Sequence, residues 1–103
     1  MELLIDDVRS MPYGIIARDY ESGLKMLRIG GFDTLYLDHD PGENKTGYDL
    51  IKQAVEEGTK LPDKIAIVSS NPVGRDNIKR LLMYDCDYRE KGAALIKWKP
   101  KGE

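Results

Sequence analysis

Apolar residues along this chain fall into short runs separated by stretches in which they recur every third or fourth position. That pattern predicts strands alternating with helices. The first run, Glu2-Leu3-Leu4-Ile5-Asp6, has the near-continuous apolar character of a strand buried on both faces of a parallel sheet. Gly14-Ile15-Ile16-Ala17-Arg18 is a second, weaker strand. A helix follows, with Asp19 as N-cap, Tyr20, Leu24 and Leu27 as its inward stripe, and Gly30-Gly31 as its stop. The third strand runs from Thr34 to Asp38, and Pro41, Gly42, Asn44 and Gly47 mark a polar loop. Thr46 and Asp49 have capping-box spacing and open a second helix with Leu50, Ile51, Ala54 and Val55 inward, ended by Gly58. Lys64-Ile65-Ala66-Ile67-Val68 is the fourth strand, and Ser69-Ser70-Asn71-Pro72 leads into a third helix with Ile78, Leu81, Leu82 and Cys86 inward. The alternating segment Ala93 to Lys99 reads as an edge strand that Pro100 stops.

The connections constrain the topology. Only Gly30 to Asp33 joins the first helix to the third strand, so the second strand must run parallel to its neighbours. Asp7 to Gly14 is too short to hold a crossover helix. Eight residues reach roughly 27 Å at most when extended. The segment therefore crosses back extended, and one sheet face is left thinly covered.

Composition narrows the class without naming a function. The 103 residues predict one domain spanning 1–103. A net charge of −2 argues against a broad basic surface for nucleic acid, although a local patch is compatible with it. Cys86, the lone cysteine, has no disulfide or zinc partner and reads as a small apolar residue. The apolar runs are too short for a signal peptide or a membrane span, so a cytoplasmic location is expected.

The chemistry concentrates after the strands. Asp6-Asp7 follow the first strand and Asp38-His39-Asp40 the third, and in an open parallel sheet these strand ends share the carboxyl edge, where ligands bind. Like charges gathered there repel, which favours a hard cation such as magnesium, or a proton, between them; otherwise these residues are loop acids and caps. Arg9 either pairs with this acidic rim or presents its fork to a phosphate. His39, between two acids, is suited to donate a proton to a leaving oxygen, and Asp40 either orients it or caps the loop. Asn71 as N-cap and Pro72 at the first helical position aim a helix N-terminus at the same edge. Amides there, approachable at Gly74, would form an anion site beside Ser69 and Ser70, with Arg75 adding charge; the alternative is a capped helix and nothing more.

Taken together, Asp-Asp-Val-Arg-Ser-Met-Pro (6 to 12), Leu-Asp-His-Asp-Pro-Gly (37 to 42), Thr-Gly-Tyr-Asp (46 to 49) and Ser-Ser-Asn-Pro-Val-Gly-Arg (69 to 75) resemble the cyclic-phosphate processing receiver domains, an offshoot of response-regulator receivers. The resemblance covers about residues 2 to 82. It implies a receiver-like (flavodoxin-like) three-layer α/β fold with parallel strand order 2-1-3-4-5 and no helix between strands one and two. It also implies magnesium, or manganese, at Asp6, Asp7 and Asp38, a phosphate contact at Ser69, and an echo of the receiver Lys-Pro pair in Lys99-Pro100. Where the family pattern has a histidine at the end of strand four, this chain has Val68.

The expected function is a metal-dependent phosphoesterase acting on a cyclic phosphate of a nucleotide or RNA end. Asp38 and His39 would be catalytic, and Arg9, Ser69, Asn71, Gly74 and Arg75 would bind phosphate. The alternative is a non-catalytic module that binds a phosphate-containing ligand or is phosphorylated on Asp38.

Overall fold

The computed structural model describes residues 1–6, 11, 14–38, 46–68, 71–92 and 94–97. Strands β1 (Glu2–Ile5), β2 (Ile15–Ala17), β3 (Thr34–Leu37), β4 (Lys64–Ile67), β5 (Tyr88–Lys91) and β6 (Ala94–Lys97) form one sheet in the order β2-β1-β3-β4-β6-β5. Helices α1 (Tyr20–Ile29), α2 (Gly47–Glu56) and α3 (Pro72–Asp85) connect them. The first four strands are parallel in the order 2-1-3-4 of a receiver-like α/β fold, and no helix stands between β1 and β2 among the described residues.

The last strands depart from the expected all-parallel order. The segment expected as a lone edge strand is β6, which pairs with β4 as anticipated but runs antiparallel to it. Its direction is reversed because β5 precedes it in a hairpin turned at Gly92, whose φ of 63° suits a residue without a side chain. The true edge is β5.

The helix caps follow the sequence. The Asp19 carboxylate accepts from the Ser22 N–H at 2.8 Å, and Thr46 and Asp49 form a reciprocal capping box. Gly23 lets α1 sit close to the sheet, since a Cβ there would stand 2.9 Å from two Ile5 side-chain atoms. At the far end of the molecule Tyr88 is buried, donates its hydroxyl to the Pro62 carbonyl, and carries the Lys97 ammonium 5.3 Å from its ring centre.

All three helices pack on one sheet face. The crossings β2 to β3 and β3 to β4 step the same way across the sheet, and right-handed crossover then places α1 and α2 on the same side. Only the step from β1 to β2 runs the other way, and it shows no helix among the described residues. The core accordingly joins Leu3, Ile5, Leu35, Leu37, Ile65 and Leu95 of the strands to the inward stripes of all three helices. Alternate strand positions, among them Leu4, Tyr36, Ala66 and Ile96, face the other way and lie outside that cluster's fully buried set. No helix among the described residues is long and apolar enough to cross a membrane.

Candidate functional site

The parallel ladder runs one residue beyond each of β1, β3 and β4. The Asp6 N–H donates to the Ala17 carbonyl at 3.1 Å, Asp38 N–H to Ile5 at 3.0 Å, and Val68 N–H to Leu37 at 2.9 Å. Since Ile5 pairs with Leu37 and Leu37 with Ile67, the next register step sets Asp6, Asp38 and Val68 side by side. Asp6 is 0% and Asp38 7% exposed. Burying a carboxylate is costly unless hydrogen bonds or opposite charge compensate it, and two side by side on adjacent strands repel as well. A cation with a preference for hard oxygen donors would relieve the repulsion.

Other expected site residues are distributed unevenly. Asp7, Arg9, His39, Asp40, Ser69, Ser70 and Lys99 lie outside the described residues. Among the described residues no group of three or more acids, histidines or cysteines is placed to hold a metal; of the three expected metal ligands, Asp6 and Asp38 are described.

The end of α3 differs from the expectation. Asn71 is its N-cap as anticipated, but its side-chain oxygen accepts from both the Val73 and Gly74 amides at 3.1 Å. The Arg75 N–H donates to the Asn71 carbonyl at 3.0 Å. The amides expected to be open to an anion are thus engaged by the cap itself, and an anion at Gly74 would have to displace the Asn71 carboxamide. Arg75 is exposed, and it lines a cavity of about 260 Å³ between the start of α3 and the β5–β6 hairpin. Ile67, the last residue of β4, is on the wall of the same cavity.

Arg18 was missed as a site residue. Its Nη1 donates to the Asp6 carbonyl at 3.3 Å, which brings a cation to the acidic end of β1. The signal was present, because a strand two parallel to strand one sets the residue after Ala17 beside Asp6. Cys86 is buried, and burial pushes its thiol up from its ordinary range, which fits an inert apolar role.

The model of the cyclic-phosphate processing receiver domain matches residues 1–84. The chain belongs to that family. No curated protein and no solved structure matches it. The match runs from β1 into α3 and takes in both buried acids and the Asn71 cap, while the β5–β6 hairpin lies beyond it. Membership in a cyclic-phosphate processing family points to a phosphate-related partner.

Proposed function

We propose that this receiver domain opens cyclic phosphates of nucleotides or RNA ends as a metal-dependent phosphoesterase. The observation that carries the reading is the pair Asp6 and Asp38, withdrawn from water side by side on adjacent strands at the carboxyl edge of a cyclic-phosphate processing family member. The donor chemistry suits magnesium or manganese, with Asp7 as the third carboxylate. Such a metal supplies charge neutralisation at the phosphate oxygens and a more acidic water.

The chain's own residues do the rest. Arg9 and Arg18 hold the anionic oxygens of the ester, with Ser69 as a hydroxyl donor and Arg75 adding positive charge from the first turn of α3. Water adds to phosphorus, one ring P–O bond breaks, and the departing oxygen takes its proton from His39, leaving a phosphomonoester.

The test is phosphorus NMR of a 2′,3′-cyclic mononucleotide incubated with protein and magnesium. Conversion to a monoester is expected, with His39→Ala slowing it by roughly a hundredfold. Persistence of the cyclic resonance, or a stable phosphoryl group on Asp38, contradicts the reading. A binding-only module is the second reading, and Val68 favours it. This half-buried aliphatic side chain stands beside Asp38 in register and offers no proton where the family pattern has a histidine.

A further inference from the structure

We infer that the sheet face carrying no helix among the described residues is a docking platform for single-stranded RNA. That the strand's end is the ester presented to the carboxyl edge rests on the function proposed above; the platform itself does not.

The register lays out the face. Tyr36 pairs with Ala66, Ala66 with Ala94 and Ala94 with Lys91, so an aromatic ring, two methyl groups and a cation form one row across four strands. In the next row Lys64 pairs with Ile96 and Ile96 with Arg89. The alanines leave a shallow depression of about 480 Å³, with Tyr36 on one wall and Lys64 and Lys91 on the others.

Charge selects the occupant. Lys64, Arg89 and Lys91 are exposed; on the same side stand the Glu2 carboxylate, which accepts from the Tyr36 hydroxyl at 2.9 Å, and, at the carboxyl edge, the buried Asp6 and Asp38. The depression itself is lined by Lys64 and Lys91 and by no acid, in a chain whose net charge is −2. A second copy laid face to face would bring like charges together. A polyanion with stackable rings matches both features, because bases stack on an aromatic side chain while cations take the backbone phosphates.

Position connects platform to site. Asp6 and Asp38 continue the ladder two residues beyond Leu4 and Tyr36, and by strand alternation they fall on this same side. A strand resting on Tyr36 reaches the acid pair in one more row.

The experiment is fluorescence anisotropy of a short labelled oligouridine ending in a 3′-hydroxyl, measured in EDTA across a salt series. Neither metal nor cyclic phosphate is present, so the readout is independent of turnover. Three phosphate contacts predict a slope of log affinity against log salt of about −2, from roughly −0.7 per contact on a single strand. The Lys64→Glu/Lys91→Glu double variant should lose at least about tenfold in affinity and flatten the slope toward −0.7. Tyr36→Phe keeps the ring and should bind as before, whereas Tyr36→Leu should weaken binding by about tenfold. Affinity unchanged in the double variant, no salt dependence, or preference for an acidic helical peptide over RNA overturns the inference. Turnover of cyclic mononucleotides without RNA binding sinks the platform and spares the phosphoesterase. RNA binding with no turnover does the reverse.

Discussion

Strand β3 is flanked by an aspartate at each end, and the two live in opposite conditions. Asp33, at the amino edge, has a side chain 84% exposed and pairs with the Met1 amino group at 2.8 Å. Asp38, at the carboxyl edge, is buried next to buried Asp6. Elsewhere on the surface, carboxylates are handled as Asp33 is: Glu57 meets Arg28 through two contacts in solvent, and the guanidinium holds its carboxyl down at about 2. What the amino edge does bury is neutral and bonded, the Tyr88 hydroxyl on the Pro62 carbonyl. Residue type is therefore a poor guide to role, and burial of charge a good one. An acid in water costs the fold little, while a pair of shielded carboxylates is a cost that hydrogen bonds, opposite charge or a ligand must offset.

This contrast predicts effects of opposite sign at the two edges. The larger is at Tyr88. Tyr88→Phe strands a buried carbonyl and should destabilise the fold by about 1–3 kcal/mol in denaturant melts. Burial pushes the Tyr88 hydroxyl well above its ordinary range. A raised folded value means that the stabilisation is complete below the unfolded value near pH ~10 and is lost as pH rises past it. Wild-type stability should fall on that alkaline limb, and the Phe variant should fall less. An unchanged alkaline limb would remove Tyr88 from the comparison.

At the carboxyl edge the expected effect is smaller and reversed. Asp38→Asn keeps the shape and removes one of two adjacent charges, so in EDTA it should raise stability by on the order of 1 kcal/mol. For a domain of this size that is about 4–8 °C in Tm. Asp33→Asn, which only loosens an exposed ion pair, should show no gain. Equal responses from the two variants would mean that the edges do not differ as described.

Much of this was readable in the chain because short-range chemistry decided it. Asp19, the Thr46 and Asp49 box, and Asn71 with Pro72 cap their helices as their residue types dictate, and apolar runs mark β1, β3 and β4. Strand β5 was not readable. In Tyr88-Arg89-Glu90-Lys91 only Tyr88 is buried, so the segment lacks an apolar alternation and reads as an insertion between Asp85 and Gly92. Asp6 and Asp38 stood out because each ends an apolar run. Arg18 did not, since its place depends on the pairing of β2 with β1. The amides of the anion site expected at Gly74 are already bonded, for a physical reason that cuts across the sequence signal. A good N-cap and an open anion site compete for the same amides, and Asn71 takes two of them.

The central claim is that Asp6 and Asp38 are held out of water for a cation. Calorimetric titration of magnesium into the wild-type chain, Asp38→Asn and Asp33→Asn tests it most directly. One saturable site is expected in wild type and in Asp33→Asn, with affinity at least about tenfold weaker in Asp38→Asn, a difference of roughly 1.4 kcal/mol. At about 100 times the dissociation constant the bound ion should add about 2.7 kcal/mol of stability, visible as a rise of roughly ten degrees or more in Tm. No heat and no shift in wild type at millimolar magnesium, or identical isotherms for all three chains, would contradict the account.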